Sequence, residues 1–382
     1  MNFEPSEEQL MLKDSVTKFI QQEYDIDKRR ALASSELAYS KENWETFANL
    51  GWLTVPFAEK LGGYGGNIID VAVIMEEFGK GLVLEPYVET VVLSGGLLAE
   101  SLEQGENPAH SEAIEQILGG GAVATAALVE EGTRFSPYSV ALTAESSGDG
   151  YVLQGKKVNV PFLPSADFAI VSARTSGDQN DEAGISLFKV DLSAAGVSTG
   201  SYKLMDGRRA GDLVLDNVQL ASDCLLGKLD EGAALLQKVL PLCTLAECAE
   251  AVGIMEFLNK TTLEYTKVRK QFGMPIGSFQ ALQHRMVDTF IEFEQCKSLL
   301  FRALISWQDN SDEFPLDLAA LKVQVGRSGK SIASEAIQLH GGMGLTDELS
   351  IGHYMKRLRM INASYGDADY HQKQYQKLAF AS

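Results

Sequence analysis

Three stretches near the end of this chain repeat apolar residues at helical spacing without a break. They limit the fold more than any other feature. Val239–Lys267, Phe279–Trp307 and Leu316–Leu339 each carry a stripe of period 3.6. Long one-faced helices must bury their stripes, and the simplest way is against one another, as an antiparallel bundle. Upstream, from about Ala122 to Leu226, the pattern changes. Short apolar runs (Tyr151-Val152-Leu153, Phe168–Val171, Ile185–Phe188, Leu213-Val214-Leu215) alternate with turn signals such as Gly148-Asp149-Gly150 and Asp206-Gly207. The runs lie too close together for βαβ units, so a small, mostly antiparallel β-domain is predicted. Before about Gly119 the spacing is helical again. Ser6 with Gln9 three residues later forms a capping box, and Leu10, Leu12, Val16, Phe19 and Ile20 follow it. Pro56 and Gly62-Gly63-Tyr64-Gly65-Gly66 interrupt the pattern, and helix resumes near Ile69 toward Phe78. The predicted class is α+β: an N-terminal helical domain over 1–119, a middle antiparallel β-domain over 120–228 and a C-terminal four-helix bundle over 229–382.

Composition removes several function classes. The 382 residues are 45% hydrophobic, too rich for disorder and enough for a large core. Lys and Arg number 33 against 52 Asp and Glu, a net charge of −19, and such a field repels nucleic-acid phosphate. No run of about 18 uncharged apolar residues reads as a membrane span. Met1 to Gln9 lacks the basic-then-apolar pattern of a secretion signal, so a soluble cytoplasmic protein is expected. The four cysteines, Cys224, Cys243, Cys248 and Cys296, show no C-x-x-C pair and are expected as reduced core thiols. The five histidines form no H-x-x-x-H pair, so no metal site is expected.

Two motif groups in the last third are chemically specific. The first is Arg269-Lys270-Gln271-Phe272-Gly273, then Pro275-Ile276, then Phe279-Gln280-Ala281-Leu282-Gln283-His284. The second is Gln338-Leu339-His340-Gly341-Gly342-Met343-Gly344, followed by a helix toward Arg359. Together they resemble the acyl-CoA dehydrogenase family. Weaker matches upstream fall in the same order: Pro56 with Gly62-Gly63, Gly148–Lys157 as a D-G-Y-x-L-x-G-x-K hairpin, and Val218–Gly227 as the linker into the bundle. The resemblance spans nearly the whole chain. It implies FAD as cofactor and α,β-dehydrogenation of an acyl-CoA thioester, in which a carboxylate takes the α-proton while hydride leaves the β-carbon. It also implies that Arg269 and Gln271 approach the adenosine diphosphate, that Phe272 packs beside it, and that Gln280 helps to hold it. Gln338, Leu339, Gly341 and Gly342 would bring main chain close to a phosphate that a Cβ would obstruct. In the family these groups serve largely the flavin of a neighbouring subunit, which implies an oligomer. His340 reads as a structural partner rather than a base.

The chain departs from the family pattern at the base. The usual Tyr-Glu-Gly-Thr segment aligns with Ser364-Tyr365-Gly366-Asp367-Ala368-Asp369, so Tyr365 stands where the Glu belongs. A phenol with a pKa of about 10 is a poor base at neutral pH. Some members carry the base on the first bundle helix, and the matching place is about Cys243. Glu247 lies one turn along the same face and Glu250 follows, so Glu247 is the candidate base, with Asp367 a second acid on the other side. The β-domain has Asn159-Val160-Pro161 where the family often has Trp-Ile-Thr, and Val129-Glu130-Glu131 where it has Thr-Glu-Pro. Groups for this chain's own flavin are thus altered while groups for a neighbour's flavin remain. That pattern resembles the small-subunit type of bacterial hetero-oligomeric acyl-CoA dehydrogenases, pimeloyl-CoA dehydrogenase small subunits among them. The implied partners are an acyl-CoA, a related subunit in a homo- or hetero-tetramer, and an electron-transfer flavoprotein. Two alternatives stay open: a non-catalytic subunit completing a partner's flavin site, and an acyl-CoA oxidase on the same scaffold.

Overall fold

The computed structural model describes residues 5–380. Met1–Glu4, part of the leader reading, lie outside the described residues. The helices in chain order are α1 (Glu7–Glu23), α2 (Ile26–Ser34), α3 (Lys41–Asn49), α4 (Ile68–Gly81), α5 (Gly96–Leu102), α6 (Pro108–Leu118), α7 (Gly232–Val268), α8 (Gln280–Gln308), α9 (Phe314–His340), α10 (Ile351–Ala363) and α11 (Ala368–Ala379). In α1 the Ser6 hydroxyl accepts from the Gln9 N–H while the Gln9 side chain accepts from the Ser6 N–H, the reciprocal box read in the sequence. The three long stripes are α7, α8 and α9, and α7 begins earlier than its stripe and runs through Pro241. Wholly buried Val88–Gly95 forms a π-helix, which periodicity of 3.6 did not reveal.

The strands are β1 (Ala124–Ala127), β2 (Thr143–Ser147), β3 (Gly150–Pro161), β4 (Phe168–Arg174), β5 (Ile185–Asp191), β6 (Val197–Thr199), β7 (Tyr202–Lys203), β8 (Arg209–Ala221), β9 (Leu225–Leu226), β10 (Lys270–Gln271) and β11 (Met274–Pro275). The large sheet runs β6-β8-β3-β2-β4-β5-β9, with β1 beside β4 and β7 beside β8. It is mixed rather than purely antiparallel. β1 pairs with β4 in parallel, and β2 meets β4 in parallel at Thr143 and Arg174. The sequence did not reveal this because the long β3 is spent pairing β2 and β8, which leaves β4 to take β1 directly. Leu153, Val160, Val171, Phe188, Leu213, Leu215 and Val218 form its core. Of the four cysteines, all free, three are buried and Cys224 is half-buried rather than in the core.

In space the residues group into two compact units that interleave along the chain. The first takes the described residues up to Arg30, then Ile68–Val83 and the described residues from Thr244 onward; the second takes Ala31–Asn67 and Leu84–Cys243. Within the first unit α4 and α7 touch backbone to backbone. A Cβ on Gly79 would lie 2.1 Å from the Glu250 carbonyl oxygen, and one on Gly253 would lie 1.9 Å from that of Glu76. Neither space admits a methyl group. No described helix is long and apolar enough to cross a membrane.

Candidate functional site

The second motif group meets the end of α7 one turn before the first motif group begins. Tyr265, in the last turn of α7, stacks on His340, the last residue of α9, with ring centroids 4.2 Å apart and planes 27° apart. The Tyr265 hydroxyl donates to the His340 carbonyl at 3.4 Å. Beyond Tyr265 the chain turns into the β10–β11 hairpin. Arg269 N–H donates to the Tyr265 carbonyl at 2.8 Å, and Ile276 N–H closes the hairpin on the Arg269 carbonyl at 2.8 Å. Phe272 and Gly273 form its two-residue tip, with φ of 54° and 82°. Two left-handed residues match the twist of a tight hairpin. For a phenylalanine that backbone is unfavourable, and the ring is also 91% exposed. Strain and exposure together mark a residue kept for contact with something outside its own unit.

On the α9 side, Gly341 has φ 63° and ψ −145°, a region open only to glycine. Gly342 has no such φ, and a Cβ there would meet nothing within 4 Å. The chain's own packing does not explain that glycine. Arg269, Gln271, Gln280, Gln338, Gly341 and Gly342 are all exposed, whereas Leu339 is buried and anchors the turn from beneath. No ion pair among the described residues engages the Arg269 guanidinium. Helix α8 begins at Gln280 without a side-chain cap, and while Leu282 N–H turns back to the Phe279 carbonyl, the N–H groups of Gln280 and Ala281 face an anion's position. A cation, three primary amides, an uncapped helix start, exposed apolar groups at Phe272, Met343 and Leu345, and an open glycine turn suit a dinucleotide. The donor set and the cradle at Gly342 therefore fit the adenosine diphosphate portion of FAD.

The candidate acids lie elsewhere in the first unit. Glu247 and Glu250 share a face of α7 and are buried. Glu250 takes Arg357 of α10 in a two-point ion pair, Oε1 to Nε and Oε2 to Nη2, both at 2.6 Å. Arg357 Nη2 also reaches Glu247 Oε1 at 3.4 Å, and Lys322 Nζ of α9 lies 4.0 Å from Glu247 Oε2. Lys322 is itself fully buried and donates to the carbonyls of Ile361 (2.6 Å) and Ser364 (2.8 Å). Glu247 thus faces two cations, one toward each carboxylate oxygen. Asp367 is the N-cap of α11, its Oδ1 accepting from Tyr370 N–H at 2.8 Å. The turn before it places Tyr365 at φ 51° and Gly366 at φ 102°, and His371 Nε2–H donates to the Tyr365 carbonyl at 2.9 Å. Burial pushes His371 down to about 4, which keeps it neutral at physiological pH. Sequence reasoning missed Lys322, Arg357 and Tyr265. A signal existed for Lys322, a cation among Leu318, Leu321 and Val325 on the buried stripe.

In the second unit, Asn159 has φ 53° at a β3 bulge between Lys157 and Val160, and its side chain is exposed. Glu130 is buried and bound by Lys157 at 2.6 Å, while Glu131 is exposed.

Comparison with known proteins gives a consistent answer. The chain matches the acyl-CoA dehydrogenase N-terminal domain over residues 6–104, the middle domain over 125–218 and the C-terminal domain over 230–377. It is 27% identical to the probable acyl-CoA dehydrogenase YngJ of Bacillus subtilis, covering 97% of each chain. Among solved structures it resembles the FAD complex of PigA (25% identity, all of both chains, TM-score 0.92). It also resembles the ChsE4-ChsE5 complex from Mycobacterium tuberculosis (25% identity, 100% of this chain and 99% of that one, TM-score 0.88). With the helical, mixed-β and helical segments in this order and a dinucleotide-suited junction at the ends of α7 and α9, the chain belongs to the acyl-CoA dehydrogenase family, FAD-dependent oxidoreductases acting on the CH–CH bond of acyl-CoA thioesters.

Proposed function

We propose that this chain works as one subunit of an oligomeric acyl-CoA dehydrogenase and that its α7 and α9 ends grip a flavin nucleotide held mainly by a neighbouring subunit. The observation that carries this reading is Gly342, a glycine with open space at its Cβ, beside an exposed Arg269 and Phe272. In this reading Arg269 neutralises the diphosphate, Gln271, Gln280 and Gln338 supply amide hydrogen bonds, Phe272 covers the nucleotide, and Leu339 fixes the turn that carries Gly341 and Gly342. FAD, when bound, accepts the hydride that leaves the β-carbon of the thioester. The electron acceptor of the assembly is an electron-transfer flavoprotein, and the neighbouring subunit is a second copy or a related chain in a tetramer. A mixed pair has a precedent in form in the ChsE4-ChsE5 complex.

Two observations favour a division of labour between unlike subunits. Tyr365 occupies the turn where a Glu is expected, and the candidate base Glu247 lies beside Arg357 and Lys322. A chain so built completes a partner's flavin site rather than taking the α-proton itself. Purification tests both readings. A yellow protein bleached anaerobically by an acyl-CoA supports catalysis by this chain alone. A colourless protein that becomes yellow and active only with a companion chain supports the mixed assembly. Glu247→Gln in the active form separates the roles of the acid: lost turnover with flavin retained makes Glu247 the base, and an unchanged rate removes it.

A further inference from the structure

We infer that the Tyr265–His340 stack is a positioning clamp that sets the spacing between the two flavin-contacting segments, the 269–276 hairpin and the 341–345 turn. The inference rests on the reading of those segments as flavin contacts. Three hydrogen bonds hold the pair: one joins its two members, one runs from the start of the hairpin to Tyr265, and one fixes the imidazole to its own helix just before the turn. Tyr265 O–H caps the last carbonyl of α9, that of His340, immediately before Gly341. The carbonyl of Tyr265 receives the N–H of Arg269, the first residue of the hairpin. His340 Nδ1 lies 2.7 Å from the Ala336 carbonyl, and since a carbonyl only accepts, Nδ1 carries the proton and the ring is fixed against its own helix. The imidazole is buried, and burial lowers its pKa, so a neutral ring faces the phenol. Each segment is otherwise free on its outer side: a Cβ at Gly273, Gly341 or Gly342 meets nothing within 4 Å. The clamp is therefore a direct tie between the helix ends that carry two segments that must meet one ligand together, and it is separate from the acids on α7 and from the α10–α11 turn.

The test uses the full-length protein in whatever assembly takes up FAD, with FAD as the probe. Tyr265→Leu removes the stack and the hydroxyl, Tyr265→Phe keeps the stack, His340→Leu attacks the pair from the other side, and Arg269→Ala is the reference for a direct contact. FAD affinity is expected to fall about tenfold in Tyr265→Leu and His340→Leu, the scale of one aromatic pair, and by about twofold or less in Tyr265→Phe. Hydrogen exchange without added FAD should quicken in 269–276 and 341–345 together in both leucine variants. Loss of FAD in Arg269→Ala but not in either leucine variant would overturn the clamp and leave the flavin reading standing. Unchanged FAD affinity in all four variants overturns the flavin reading and the clamp with it. Quickened exchange in only one of the two segments also overturns the clamp, whatever the flavin does.

Discussion

The two units both bury ionised side chains, and they neutralise them differently. In the β-bearing unit, Glu130 takes Ala141 N–H at 2.9 Å, Leu142 N–H at 3.0 Å and Lys157 Nζ at 2.6 Å, while Lys157 also donates to the Ser172 hydroxyl at 3.0 Å. Backbone supplies two of the three donors to that carboxylate. In the helical unit, Glu247 and Glu250 are met by the side chains of Arg357 and Lys322. The difference follows from backbone chemistry. Inside a helix every N–H is already committed to the carbonyl four residues before it. A loop beside a sheet has N–H groups to lend. Buried acids on a long helix must therefore bring their own cations, and among the described residues the backbone groups that Lys322 reaches are the carbonyls of Ile361 and Ser364 at the C-terminus of α10.

The largest expected effect comes from removing the guanidinium that pairs with Glu250 at two points. Arg357→Met removes the two-point partner of Glu250 and one of the two cations beside Glu247, and should cost about 4 kcal/mol in urea unfolding. Adding Glu250→Gln to that variant should return part of the loss; a loss below about 1 kcal/mol in the single variant would erase the contrast between the units. Lys157→Met should cost less, about 3 kcal/mol, because Glu130 keeps its two N–H donors. The same lysine gives a pH signature. Burial pulls Lys157 from 10.5 down to about 8. Between those values the unfolded chain binds more protons than the folded one, so this group's contribution to stability rises with pH from about 8 to about 10.5. Below about 8 both states are protonated and the burial penalty is fully present. Stability measured across that window should climb less in Lys157→Met than in the parent. The smallest change is expected from Asp367→Ala, which removes an N-cap and should cost about 1 kcal/mol in thermal or urea unfolding.

The sequence made the long elements legible because their periodicity is local. The stripes ending at Lys267, Trp307 and Leu339 end within a residue or so of α7, α8 and α9. The strand runs fall inside β3, β4, β5 and β8 for the same reason. The parallel pairing of β1 with β4 depends on which remote strand has an open edge, which no window of residues records. The π-helix at Val88–Gly95 is a backbone choice imposed by surroundings rather than by its own spacing. At the site, Arg269, Phe272 and the Gly341-Gly342 pair were readable as motifs, whereas the Tyr265–His340 contact at the helix ends that carry them was not. Glu247 was readable as an odd acid on an apolar helix. Its cations were not, since Lys322 and Arg357 come from helices 75 and 110 residues further along the chain.

The glycine seam between α4 and α7 also bears on how this protein can change over generations. Each glycine presses on a carbonyl one turn before the other, Gly79 on Glu250 and Gly253 on Glu76, so the seam reads the same from either helix. No single replacement at either position finds room, and repair would need both helices to part along their length. Neutral drift is therefore channelled away from the spacing of α4 and α7 and toward the side chains that line it. A descendant can exchange the acids at 247 and 250 more easily than it can move the helix that carries them.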